Sequence, residues 1–127
     1  MTAAVVEIDG RFLVTRRQKG AHLEGFWEFP GGKCDAGESH ADGLIREMRE
    51  ELGVNVTVGK ELLTTTHVYP DRSVELHFLH CDLLGVPTPL VGQEMRWVPR
   101  HDLASLAFPP ADDELIRLLT RSTVHGA

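Results

Sequence analysis

The segment Gly32–Val54, GKCDAGESHADGLIREMREELGV, decides how this chain is read. Ser39 is a helix N-cap residue type, and Asp42 stands three residues on, in the capping-box position. Gly53 closes the segment as the left-handed residue that ends a helix. These signals predict a helix over 39–52. At helical spacing Ala41, Leu44, Ile45, Met48 and Leu52 share one arc of roughly 100°, which is the core face. Glu47, Glu50 and Glu51 share a second arc, centred about 120° away. Like charges so placed repel by a few tenths of a kcal/mol each, roughly, and Arg46 and Arg49 offset this only in part. Five carboxylates lie between Glu38 and Glu51. They form either a solvated acidic face or a set of hard oxygen ligands suited to Mg²⁺ or Mn²⁺.

Outward from this helix, the chain alternates short β-prone runs with turn residues. Residues 3–8 and 11–16 flank Asp9-Gly10, a hairpin signal. Residues 17–25 read as a loop and Phe26–Phe29 as a short strand stopped by Pro30-Gly31-Gly32. Residues 60–69 and 73–84 read as strands joined at Pro70-Asp71-Arg72. Residues 85–93 form a loop, and Met95–Val98 a further strand. Pro109-Pro110 precedes an amphipathic helix over about 112–121, with Leu115, Ile116, Leu118 and Leu119 on its apolar side. The class is α+β: a mixed sheet with helices on its faces.

With 127 residues the chain is expected to be one domain, 1–127. A hydrophobic share of 42% argues against disorder. No apolar run approaches the ~18 residues of a membrane span, and the N-terminus lacks the basic start of a secretory signal. Cys34 and Cys81 lack metal-ligand or redox spacing, so two free thiols in a cytoplasmic protein are expected. The net charge of −6, from 13 basic and 19 acidic residues, argues against a protein that grips nucleic acid polymers by counterion release.

Written as a pattern, Gly32–Val54 is G-x5-E-x7-R-E-U-x-E-E-x-G-U, with U bulky and aliphatic. This resembles the Nudix box, and the chain is identified on it as a member of that family. The resemblance implies a Nudix-type α/β/α sandwich in which a loop–helix–loop at 32–54 holds Mg²⁺, with Mn²⁺ as a substitute, for attack on a diphosphate linkage. Val14–Arg17, Ala21-His22, Trp27–Lys33, Tyr69–Arg72 and Phe108–Asp112 are similar to the bacterial MutT subgroup. That implies a nucleoside triphosphate pyrophosphohydrolase releasing pyrophosphate, with nucleotide-pool sanitation of the 8-oxo-dGTP type as its purpose. The alternatives are action on CTP or 5-substituted dCTP, on another nucleoside diphosphate derivative, or a catalytically silent nucleotide-binding domain. A small nucleotide is the expected partner, and the protein a monomer or homodimer.

The resemblance also implies roles. Glu47 and Glu50 are catalytic, with Glu47 as general base or metal ligand, and Arg46 orients the glutamates. Gly31 through its carbonyl, Glu47, Glu50, Glu51 and Glu94 hold the metal, whereas Glu38 closes the loop. Arg17, His22, Phe29, Lys33, Arg72 and Asp112 meet the substrate. Trp27 and Trp97 read as core. Among the other histidines (40, 67, 77, 80, 101 and 125) only His77 and His80 share a ligand-like spacing, and they project from opposite strand faces, so no zinc site is expected. Asp112 departs from the MutT pattern, which has Asn there to read oxidised guanine as both donor and acceptor. An ionised Asp only accepts, which favours a base edge that donates, such as the cytosine amino group. A protonated Asp in a dry pocket donates as well. The structural alternative is that Asp112 is an N-cap.

Overall fold

The computed structural model describes all residues except His22 and 122–127. Two four-stranded sheets run through the middle of the molecule. The first has the order β5 (Gly31–Gly32), β1 (Thr2–Val5), β7 (Arg72–Leu83), β6 (Val56–Tyr69). In it β1 runs parallel to β7, and the other pairs are antiparallel. The second is built on β3 (Arg11–Arg16), which pairs with β2 (Glu7–Ile8), β4 (Trp27–Glu28) and β8 (Met95–Pro99), all antiparallel.

Alternation along the strands sorts side chains into two cores. Ala3, Val5, Phe12 and Val14 join Trp27, Phe29 and Phe78 beneath α2 (Asp113–Arg121), which contributes Leu115 and Leu119. Ala4, Val6 and Leu13 point the other way, toward Leu44, Met48 and Leu52 of α1 (His40–Leu52). Sheets buried on both faces, with a helix over each, make the expected α/β/α sandwich.

The caps of α1 form as the sequence requires. The Ser39 hydroxyl accepts from Asp42 N at 3.0 Å, and Gly53 is left-handed at φ 59°. Asp9-Gly10 makes a two-residue hairpin in which both residues have positive φ and Ile8 faces Arg11. Both cysteines are free, and Trp27 is core.

Four expectations are corrected. The run 3–8 divides at Val6 between the two sheets. Gly31-Gly32, expected to stop a strand, pairs with β1 as a strand of its own. The hairpin after α1 begins at Val56 rather than 60, and Arg72 faces Tyr69 in it rather than lying in the turn. The last helix starts one residue late, because Pro110–Asp112 form a 3-10 turn before it. A further 3-10 turn at Arg100–Ser105 carries no apolar period and was not foreseen.

Candidate active site

The Gly31-Gly32 strand is the floor on which the site is assembled. A Cβ on Gly31 would fall 2.1 Å from Thr2 O, so only glycine lets β5 lie against β1. A Cβ on Gly32 would fall 2.7 Å from the Glu47 carboxylate. The missing side chain therefore leaves the space that the first glutamate of the triplet occupies.

Arg46 gathers one group of carboxylates. Its Nε and Nη2 donate to the two Glu38 oxygens at 2.9 Å each. Its Nη1 donates to Glu47 at 3.0 Å and Glu50 at 3.1 Å, and Nη2 also donates to Lys33 O at 2.9 Å. Asp35 Oδ2 stands 3.3 Å from Nε. The Asp35 N–H donates to Glu38 at 2.6 Å, which folds loop 33–38 back on the helix. Bidentate, charge-assisted bonds of this kind fix direction as well as distance. They hold the Glu38 carboxyl below the usual carboxylate range, led by the Arg46 hydrogen bonds.

Glu51 belongs to a second group with the opposite electrostatics. Burial pushes its carboxyl up to about 8, and Glu47, Glu28 and Glu50 add to the shift. Its carboxyl is within hydrogen-bonding reach of Glu47. Carboxylates that converge in a half-buried place suit a divalent cation, because only oxygen donors are offered and the crowding calls for positive charge. By this test Glu47 and Glu51 fit Mg²⁺. Glu50, turned to Arg46 and more exposed, lies at the edge of the group.

Two adjoining clefts meet at this floor and share Arg17, Glu28, Gly31 and Gly32. One, of about 290 Å³, reaches Glu51 and Gln93. The other, of about 260 Å³, is lined by Phe29, Lys33, Arg72 and Asp112. Arg17 Nη1 donates to Glu28 at 2.8 Å. Phe29 is chiefly core, stacked on Phe108 with ring centres 5.4 Å apart, and only skirts the cleft. Arg72 lies over the Tyr69 ring, its guanidinium carbon 5.8 Å from the ring centre. Asp112 is 5% exposed, and burial, with Glu28 and Asp113 adding, lifts its carboxyl to about 7. Among the described residues its carboxyl makes no hydrogen bond to the start of α2, so the N-cap alternative loses its contact.

Glu94, expected among the metal ligands, has an exposed carboxylate that pairs with Arg16 at 3.4 Å and Arg96 at 3.2 Å. A loop carboxylate beside two arginines finds cations nearer than the glutamate group. His22 lies outside the described residues. Glu28 was missed by the sequence reading. It sits between Arg17 and Glu51, with burial raising its carboxyl. The available signal was a glutamate set between aromatic residues in the short strand Trp27–Phe29, where a charge is costly unless it is used.

Glutamates gathered at a glycine strand beside a polar-ended cleft form the site. The NUDIX domain profile matches residues 1–118, and the chain belongs to the Nudix family. It is an enzyme of the MutT-like Nudix hydrolases, a family that generally uses divalent metal. The chain is 33% identical over 117 residues to the CTP pyrophosphohydrolase of Escherichia coli, covering 91% of this chain and 87% of that one. It is 38% identical over 116 residues to the 8-oxo-dGTP diphosphatase of Haemophilus influenzae, covering 90% and 85% respectively. The solution structure of the E. coli ORF135 protein superposes with a TM-score of 0.82 at 33% identity, covering 99% of this chain and 89% of that one.

Proposed function

We propose that the protein hydrolyses a nucleoside triphosphate to the monophosphate and pyrophosphate with Mg²⁺. The observation that carries this is the convergence of Glu47, Glu51 and Glu28 at the Gly31-Gly32 floor, where two clefts adjoin. Glu47, Glu50, Glu51 and the Gly31 carbonyl would hold the ion, with Glu28 in the place expected of Glu94. When bound, Mg²⁺ supplies neutralising charge for the phosphates and Lewis acidity toward the attacked phosphorus. Glu47, held by Arg46 and pressed onto Gly32, is the proton acceptor for the attacking water. Arg17 and Lys33 offer cationic contacts to the phosphates at the mouth of the same cleft.

Base preference turns on Asp112. With its carboxyl lifted to about 7, it is protonated in part of the molecules at neutral pH. The protonated form donates and accepts, as an amide does, and supports oxidised guanine. The ionised form only accepts and supports cytosine, in keeping with the CTP pyrophosphohydrolase relative. The test is a screen of canonical and damaged NTPs and dNTPs in Mg²⁺, reading pyrophosphate. Pyrophosphate from a triphosphate supports the proposal. Turnover confined to nucleotide sugars or dinucleotides, or no turnover at all, overturns it.

A further inference from the structure

Outside the carboxylate site, one cluster joins three separate parts of the chain. His40 is the first residue of α1, Glu61 lies on β6 and His77 on β7. One ligand atom from each lies within 4.8 Å of the other two. His77 is buried beside the helix start, and its ring centre is 3.8 Å from that of His40. Its Nδ1 stands 2.6 Å from Glu61 Oε1, and its Nε2 2.6 Å from Glu75 Oε1. The Thr64 hydroxyl donates to Glu61 at 2.6 Å. The pairing of β6 with β7 shifts register on both sides of Glu61, so an irregularity in the strand aims this carboxylate at the cluster.

The chemistry of this group differs from that of the box glutamates. A neutral imidazole has one N–H, yet both nitrogens of His77 face carboxylates. If Nε2–H donates to Glu75, the Nδ1 lone pair is turned toward the Glu61 carboxylate, where positive charge is needed. A ligating histidine whose other ring nitrogen donates to a carboxylate is the usual outer support of a zinc site. Two imidazoles and one carboxylate suit a borderline ion rather than Mg²⁺. Ligands about 2.0–2.1 Å from a tetrahedral ion stand roughly 3.3 Å apart. His40 is exposed, so a rotation of its side chain to that spacing meets no buried packing.

We propose that His40, Glu61 and His77 form a second cation site, of the Zn²⁺ class, that fastens the first turn of α1 to β6 and β7. It is distinct from the catalytic group: Glu47 lies seven residues along the helix, about 10 Å by helical rise. The occupant bridges helix and sheet and leaves the glutamate triplet to Mg²⁺.

The test uses the full chain stripped of metal by a chelator and then held in excess Mg²⁺, which occupies the box carboxylates. Co²⁺ is added to one equivalent as a spectroscopic probe, and Zn²⁺ is titrated against it. The expected result is the intense visible band of four-coordinate cobalt, abolished by one equivalent of Zn²⁺. His40→Ala and Glu61→Gln, both at exposed positions, should remove the band and weaken Zn²⁺ binding at least about 10-fold. Glu75→Gln, which alters only the outer support, should weaken it by about 10–100-fold. Glu51→Gln should leave the band in place. Far-UV circular dichroism checks that each variant is folded. Only the faint band of six-coordinate cobalt, a band unchanged in His40→Ala, or a band lost in Glu51→Gln would overturn the proposal. The readout is independent of turnover, so its failure leaves the hydrolase reading untouched.

Discussion

Two groups of glutamates meet at α1, share Glu47 and are opposite in electrostatics. Around Arg46, the carboxylates of Glu38, Glu47 and Glu50 share one guanidinium, and Glu38 is held below its ordinary range. A turn further on, Glu51 faces Glu47 and Glu28 and is pushed up to about 8. The first group is compensated within the protein, and the second awaits compensation from outside. A carboxylate's electrostatics are thus set by its neighbours rather than by its helix position: the Arg46 group ties a loop, and under the proposed function the Glu51 group receives the cation.

The comparison is broken most forcefully at Glu51. Glu51→Gln keeps the shape of the side chain and removes the charge. In saturating Mg²⁺ it is expected to lower turnover by orders of magnitude while the circular dichroism spectrum stays unchanged. Near-normal turnover would mean that the uncompensated group is not the metal site. Glu38→Gln, on the compensated side, should cost far less activity and show mainly as faster proteolysis within loop 33–38.

Asp112→Asn comes next in size. Asn exchanges one acceptor for a donor, and leaving a buried polar group unpaired costs ~1–3 kcal/mol, or roughly 5- to 150-fold in kcat/KM. The loss should fall on the preferred substrate, and 8-oxo-dGTP should gain relative to dCTP and a 5-substituted dCTP. An unchanged ranking of 8-oxo-dGTP, dGTP, dCTP and the 5-substituted dCTP would remove Asp112 from base reading. Isotope placement sharpens the chemistry: in ¹⁸O-water the label is expected in pyrophosphate, from attack at the β-phosphorus. Label in the monophosphate would move the attack to the α-phosphorus.

The smallest expected effect is on stability, where the two groups have opposite pH slopes. Glu51 and Asp112 keep their protons to about 8 and about 7 when folded, but lose them near 4.5 and 3.8 when unfolded. The folded chain therefore binds more protons over that window, and stability falls as pH rises from about 4 to about 8. Glu38, with its depressed carboxyl, stabilises the fold above its unfolded value near 4.5, and that contribution is lost in acid. Without divalent ions, thermal melts should give a Tm that declines from pH 5 to pH 8. Mg²⁺ should raise Tm more at pH 8 than at pH 5. The double variant Glu51→Gln, Asp112→Asn should flatten the decline, and an undiminished decline would assign it to other groups.

Much of this was legible from local sequence. Ser39, Gly53 and the spacing of Leu44, Met48 and Leu52 specify α1 without reference to anything distant, and Asp9-Gly10 specifies its hairpin. The spacing Gly32-x5-Glu38-x7-Arg46 announces a loop folded onto a helix. What escaped depended on contacts across the chain. Glu28 acquires its surroundings from Arg17 and Glu51, and the Glu94 carboxylate pairs with Arg16 and Arg96. His77 and His80 share a strand but project from opposite faces, so their spacing gives no sign of a cluster. His77's partners, His40 and Glu61, come from other elements, and no periodicity connects them.

Val6 is where one continuous run of chain leaves the first sheet and enters the second. It is 1% exposed, and its carbonyl accepts from Leu13 N at 3.1 Å. The sheets therefore have no slack between them, and pulling β1 from β7 drags on the β2–β3 hairpin. In native-state hydrogen exchange the amides of β1, β3 and β7 should open together, as one cooperative unit with the free energy of global unfolding. The outer part of the β6–β7 hairpin, near Tyr69 and Arg72, should exchange earlier by local fraying. The cleft wall that carries Arg72 would then breathe while the glycine floor beneath the glutamates stays shut.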